Sequence, residues 1–219
     1  MLFDRVFSVL VLAVLSPVLL VAGFLVRCTS RGPVLYRAER AGRDGRPFVM
    51  YKFRTMHVGS DQNGAITAAH DPRVFLVGRA LRRMKIDELP QLANVVKGDM
   101  ALVGPRPEDL NIVRHHYDDF MRESLLVRPG VTGPGSLHYF AEEEDLPGDP
   151  VEAQRVYLDS LLVKKIALDL VYVRNRSRRY KAELLLRTAL GIVGAERIFA
   201  RRAHHERELA TQIQRERES

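Results

Sequence analysis

The sequence predicts an α+β fold, predominantly helical with a small β-hairpin, attached to a membrane through a broken N-terminal helix and surface amphipathic helices. Three observations carry that expectation. Residues 6–26, VFSVLVLAVLSPVLLVAGFLV, hold no formal charge, while Asp4, Arg5, Arg27 and Arg31 flank them. Two runs rich in apolar and aromatic residues, VLYRAER and PFVMYKF, enclose AGRDGR, whose Asp44-Gly45 supplies hairpin turn chemistry. Most of the patterned stretches that follow read as helices.

The size and charge of the chain narrow the classes. It has 219 residues, 46% hydrophobic, with 34 Lys+Arg against 27 Asp+Glu for a net charge of +7. One catalytic-sized domain with an anchor fits that length, and wholesale disorder is excluded. The single Cys28 excludes an internal disulfide, and no CxxC spacing supports structural zinc. The basic excess admits nucleic acid, or anionic lipid and phosphorylated substrates.

Taken in order, the uncharged segment is long enough to cross the hydrocarbon core as a helix, about 31 Å. Its apolar residues leave no polar face, so it is not a half-buried core helix. An n-region whose charges cancel argues against a cleaved signal peptide. Ser16-Pro17 falls mid-segment, where proline breaks the helical ladder, and the Ser16 hydroxyl can satisfy the carbonyl so freed. A kinked spanning helix and a re-entrant segment both fit, because both flanks are basic.

The hairpin follows, then a polar loop over 58–72 and a short basic helix from Val74 to Met84 with Arg79, Arg82 and Arg83. Pro90 belongs in a first helical turn, so a helix is expected from about Asp87 to Gly98, with Leu89, Leu92 and Val96 on its buried face. MALV reads as a short buried strand closed by Gly104-Pro105-Arg106-Pro107. A helix is expected over Leu110 to Val127, and RPGVTGPG reads as a loop. The acidic run Glu142, Glu143, Glu144 and Asp145 precedes a long helix from about Val151 to Val173, and another helix spans Ala182 to Val193. The tail from Arg197 to Ser219 has the pattern of a solvated helix or disorder. Three units result: an anchor at 1–30, a main domain at 31–196 and a charged tail at 197–219.

Asp87 and Glu88 stand together where a helix begins, and helix capping alone explains such a pair. Their neighbours suggest more. A helix N-terminus favours anions, Arg82 and Arg83 lie five and four residues upstream, and Arg106 sits on a stiff loop. That set suits a phosphate ester held against a carboxylate, with Mg2+ on Asp87 screening the two negative charges. Lys52 and Arg54 share one face of the second hairpin strand, toward solvent or toward phosphate. No Walker motif occurs. His115-His116 point about 100° apart on a helix and make a poor metal pair. Arg174, Arg176, Arg178, Arg179 and Lys181 precede an apolar run and suit a helix resting on anionic headgroups. No nucleic-acid-binding module is present, so no specific nucleic-acid partner is expected.

The chain resembles the bacterial sugar transferase family, the monotopic phosphoglycosyl transferases, over nearly its whole length to about residue 195. The resemblance rests on the LSP-containing anchor, TSRGPVLYRAERAGRDGRPFVMYKFRTM, DELPQLANVVKGDMALVGPRP, RPGVTG and LDLVYV, in that order. It implies transfer of a sugar-1-phosphate from a UDP-sugar to a polyprenyl phosphate such as undecaprenyl phosphate, releasing UMP and starting glycan assembly. It further implies Asp87 as the nucleophile of a covalent phosphosugar intermediate, Glu88 as its assistant as base or through Mg2+, Arg82 as a site residue, and Pro105, Arg106 and Pro107 as a nucleotide loop. Lys52, Arg54 and Asp169 fall in family motifs as substrate-side residues. Ser16 and Pro17 match the family's helix break, which implies a re-entrant anchor in the bacterial inner membrane and a cytoplasmic catalytic domain. Membrane lipids are then partners, and a homodimer is compatible with this reading. After GVTG the chain carries PGSLHYF and has no Trp, unlike many relatives, which leaves the sugar open. The competing class is a membrane-anchored, non-catalytic interaction protein.

Overall fold

A computed structural model of the chain describes residues 2–60, 71–139, 146–147, 149–192 and 200–218. Most of the 58–72 loop and the whole acidic run from Glu142 to Asp145 lie outside these residues. The uncharged segment forms two helices, α1 (Leu2–Val14) and α2 (Ser16–Thr29), bent by 64°. The bend has a local cause. Pro17 has no N–H for the Ala13 carbonyl four residues back, and the Ser16 hydroxyl donates to that carbonyl at 2.8 Å instead. Among the described residues no single helix is long and apolar enough to cross a membrane, whereas the bent pair passes that test together. Phe3, Leu10, Val14, Leu20 and Phe24 all project outward.

Both ends of this segment are fastened to the rest of the chain. Lys181 Nζ donates to Asp4 at 2.6 Å, and Arg5 donates to the Lys97 carbonyl at 3.2 Å. At the other end Arg54 donates to the Ser30 hydroxyl at 2.7 Å and the Ser30 carbonyl at 2.8 Å.

Strands β1 (Leu35–Ala41) and β2 (Pro47–Phe53) form the expected antiparallel hairpin, in register from Leu35↔Phe53 to Ala41↔Pro47. Asp44 turns it at φ 58°, a conformation that Asp tolerates better than most residues. Helix α3 (Leu76–Arg83) follows, packed so closely that a Cβ on Gly78 would lie 2.2 Å from the Thr55 carbonyl oxygen. Helix α4 (Gln91–Lys97) ends at Gly98 in the left-handed region, as expected. Its start is corrected: Ile86–Glu88 form a separate 3-10 turn after Lys85 at φ 55°, and Pro90 caps the helix proper. The buried face is corrected too, since Gln91, Leu92, Asn94 and Val95 are buried while Leu89 and Val96 are half-buried.

Strand β3 (Ala101–Val103) is the expected MALV strand. Its partner was not expected. RPGVTG, read as a loop, supplies β4 (Gly130–Thr132), parallel to β3, so the fold holds a second two-stranded sheet beside the hairpin. The single helix expected over Leu110–Val127 is broken into α5 (Leu110–His116), α6 (Asp119–Arg122) and a 3-10 turn, because Asp118 accepts from Met121 N and starts a new helix. Helix α7 (Pro134–His138) follows β4. The long helix forms as α8 (Pro150–Val156) and α9 (Leu162–Arg174), joined by a π turn at Tyr157–Leu161. Helix α10 (Arg178–Ile192) buries Tyr180, Leu184 and Arg187. The tail forms α11 (Ala200–Glu218), whose Glu206, Ala210 and Ile213 are buried against the body, so only its outer face is solvated. Of the basic cluster, Arg174 pairs with Glu123 and Glu216, and Lys181 with Asp4, while Arg176, Arg178 and Arg179 are exposed.

Candidate active site

The hairpin, the 3-10 turn, the loop after β3 and helix α9 converge on one constellation. Asn94 on α4 is fully buried, donates to the Val49 carbonyl at 2.7 Å and accepts from Tyr51 N at 3.0 Å. That bidentate grip fixes β2 against α4, next to the turn that carries the acidic pair. Lys52, the following residue, reaches Glu88 Oε1 at 2.8 Å. Arg106 Nη2 donates to the same oxygen at 3.1 Å. Sequence reasoning did not single out Asn94, though a lone Asn among the apolar residues of a short helix is a legible anomaly.

Asp87 is 6% exposed, and its Oδ1 is buried without a hydrogen-bond partner. Burial, reinforced by the charge of Glu88, pushes its carboxyl above the usual range, while Lys52, Arg82 and Lys85 pull against that rise. Glu88 behaves oppositely. Burial pushes its carboxyl up, but Lys52 first, then Arg106 and Lys85, outweigh it and hold the group well below the ordinary value. Burial lowers the Lys52 ammonium, with Glu88 opposing. One carboxylate is thus held by cations, and its neighbour keeps a buried oxygen without a hydrogen-bond partner.

Arg82 lies beside the pair, its Nε donating to Thr55 Oγ1 at 3.0 Å. Asp169 on α9 lies behind the Pro105-Arg106-Pro107 loop, where its Oδ2 accepts from Arg106 N at 3.2 Å and its Oδ1 from Gly135 N at 3.0 Å. Burial pushes Asp169 up to about 6 against those donors, so at neutral pH it is mostly ionised. Both of its carboxylate oxygens hold backbone groups, one in the Arg106 loop and one at Gly135. The loop is also held from below, as Gly104 N donates to the Thr132 carbonyl at 2.9 Å and Gly130 N to the Pro105 carbonyl at 2.8 Å. Arg54 is the one candidate the structure moves away. It is 5% exposed and donates to Pro33, Ser30 and Met56, fastening the exit of α2 to the hairpin. Arg54 stands just past the end of β2, beside the connection from α2 to β1, so its two-residue spacing from Lys52 does not bring it to the acidic pair.

No group of three or more His, Cys, Asp or Glu that could hold a metal by itself occurs among the described residues, and His115-His116 are no exception. Asp87 offers one hard oxygen donor, which suits an ion whose remaining ligands are phosphate oxygens and water. The site thus sets a buried carboxylate with an unpartnered oxygen among Lys52, Arg82 and Lys85, beside a second carboxylate that holds Lys52 and Arg106, a cationic setting that suits a phosphate-bearing ligand. The family model described as bacterial sugar transferase matches residues 1–195, and the chain belongs to that family. It is 41% identical over 150 residues, 65% of this chain and 34% of the relative, to UDP-N-acetylgalactosamine-undecaprenyl-phosphate N-acetylgalactosaminephosphotransferase of Aeromonas hydrophila. It is 38% identical over 180 residues, 80% of this chain and 36% of the relative, to UDP-glucose:undecaprenyl-phosphate glucose-1-phosphate transferase of Klebsiella pneumoniae. A protein of that same name from Caulobacter vibrioides is 34% identical over 204 residues, 90% of this chain and 70% of the relative. The chain spans about a third of the length of the first two relatives.

Proposed function

We propose that this chain transfers a sugar-1-phosphate from a UDP-sugar to a polyprenyl phosphate such as undecaprenyl phosphate, through a covalent phosphosugar on Asp87. The observation that carries this reading is the buried, unpartnered Oδ1 of Asp87 beside a carboxylate that already holds its own cations. In the first step an Asp87 oxygen attacks the sugar-bearing phosphorus, and the bond to the bridging oxygen breaks with its electron pair leaving on UMP. In the second step an oxygen of the lipid phosphate attacks the same phosphorus, and the Asp87 carboxylate departs. Glu88, held far below the ordinary range, is a poor proton acceptor, so its part is to fix Lys52 and Arg106 at the site. Arg106 and Lys52 are placed to take up phosphate charge as it arrives. Mg2+, held by Asp87 together with substrate oxygens, would supply screening between nucleophile and phosphate.

A soluble donor and a lipid acceptor meet at a membrane surface, and the bent segment supplies the attachment. Asp4 and Arg5 at its start and Ser30 at its end all grip the same body, which supports a re-entrant hairpin entering and leaving one face. We place that body on the cytoplasmic side of the inner membrane, where UDP-sugars reside.

The test is UMP release from a panel of UDP-sugars by the purified protein with undecaprenyl phosphate and Mg2+, with Asp87→Asn in parallel. Asparagine keeps the shape of the side chain and removes the nucleophile. The expected loss is about 10^4-fold or more, with no fall in Tm, because a costly buried charge has gone. Retained turnover in that variant would remove Asp87 from the mechanism, whereas no UMP release by the wild-type protein across the panel would leave the non-catalytic interaction protein as the better reading.

A further inference from the structure

Helix α11 lies beyond the residues that the family model matches, yet it is joined to the candidate site by an unbroken series of contacts. Glu206, 2% exposed, accepts from Tyr180 at 2.7 Å and from Arg187 at 2.6 Å on Oε1. Its Oε2 meets His138 Nε2 at 2.7 Å. Arg207 Nε donates to the opposite ring nitrogen, His138 Nδ1, at 3.2 Å, which leaves Nε2 as the nitrogen carrying the proton toward Glu206. Two successive residues of α11 thus fix both the position and the tautomer of His138.

His138 is the last residue of α7, and the first turn of that helix bears on the site. Gly135 N donates to Asp169, and a Cβ at Gly135 would come within 2.9 Å of Asp169 Oδ1. A Cβ at Gly133 would lie 2.3 Å from the Gly104 carbonyl oxygen. Helix α7 therefore has no slack against either Asp169 or the loop that holds Arg106. Asp169 in turn holds Arg106 N, and Arg106 reaches Glu88.

We infer that Glu206 is a positioning residue: through His138 and α7 it sets the Asp169–Arg106 arrangement on which the proposed donor site depends. The kinetic half of this inference rests on the transferase reading, whereas the positional half does not. Glu206→Gln separates the two. Its amide keeps one acceptor for Tyr180 and Arg187 but presents N–H groups to the N–H of His138, so the α11–α7 contact fails while volume is preserved.

Amide hydrogen exchange on the full chain in detergent reads the positional half. In Gly104-Pro105-Arg106-Pro107 only Gly104 and Arg106 have an amide proton, and Gly104 is held by β4. Exchange at Arg106 N is expected to rise about 3- to 30-fold in Glu206→Gln, with α4 unchanged. Unchanged exchange at Arg106 and Gly135 overturns the inference whatever the activity. The kinetic half predicts a rise of the same size in KM for the UDP-sugar with kcat nearly constant, and no additional rise when Glu206→Gln is added to Arg106→Ala. An equal, additive effect in that background means that Glu206 acts elsewhere and sinks this half. Wild-type protein that releases no UMP while the exchange change is present would remove the transferase reading and leave the clamp. Should Glu206→Gln not fold, His138→Phe, which has no ring nitrogen to donate, breaks the same contact from the other side and is held to the same outcomes. Arg217→Ala, which frees the far end of α11 from Asp118, is expected to lower Tm without changing Arg106 exchange.

Discussion

Glu88 and Asp87 are chemically alike and adjacent, and their surroundings drive them apart. Both are drawn upward by burial, but the cations settle on Glu88, whose negative charge then lifts Asp87 further. Under the proposed mechanism only ionised Asp87 attacks, so donor cleavage should fall as pH drops through its raised pKa. Glu88→Gln removes the charge that lifts it. The acid limb of kcat/KM for UMP release is therefore expected to move to lower pH in that variant, even as the maximum falls through the loss of the anchor for Lys52 and Arg106. A limb that stays in place would separate it from Asp87. At this scale the sequence revealed residue types at fixed spacing, and the local members of the site were legible. Asp87, Glu88 and Arg106 meet where their motifs suggested. Arg54 was misplaced because it stands just past the end of β2, beside the connection from α2 to β1, where strand alternation no longer applies. Asp169 was recognised as a substrate-side residue but its hold on the loop was not, since its two partners, Arg106 N and Gly135 N, are backbone groups that no motif advertises.

At the scale of elements, the site depends on a pair of three-residue parallel strands. Their contact is so close that a Cβ on Gly130 would lie 2.0 Å from Gly104 N, and one on Gly104 would lie 2.5 Å from the Arg128 carbonyl oxygen. Backbone against backbone cannot yield as a flexible side chain would. Gly130→Ala is expected to cost about 2–4 kcal/mol in thermal unfolding and to free the Arg106 loop, with transfer falling further than the loss of folded protein explains. Wild-type stability in that variant would mean that the strands separate without consequence. The hairpin was legible because seven-residue strands around Asp44-Gly45 carry both period and turn chemistry. The parallel pair was not, because three residues between prolines and glycines carry no period, and Pro129 and Pro134 read as loop. The break between α5 and α6 was within reach. Asp118 is an ordinary N-cap, overlooked because the surrounding apolar spacing continued across it.

At the scale of the whole molecule, charged residues do the fastening. The helix break at Ser16-Pro17 was legible from chemistry alone, since a proline inside an apolar helix has one predictable effect. The docking of α11 was not, because a run of interleaved Arg and Glu looks solvated until His138, Tyr180 and Arg187 arrive from distant positions to bury Glu206. Fastening at both ends of the bent segment has a further result if that segment lies in lipid as proposed. A helix that crosses a bilayer must tilt, stretch or compress its surroundings whenever hydrocarbon thickness changes. A segment that turns back inside one leaflet, with Asp4 and Ser30 held to one body, has no far interface to match. Transfer in vesicles of short-chain and long-chain phosphatidylcholine should then agree within about twofold, whereas a kinked spanning anchor would make the rate peak at one thickness. On the re-entrant reading the height of Asp87 above the lipid would be a fixed dimension of the protein, the same in a thin membrane as in a thick one.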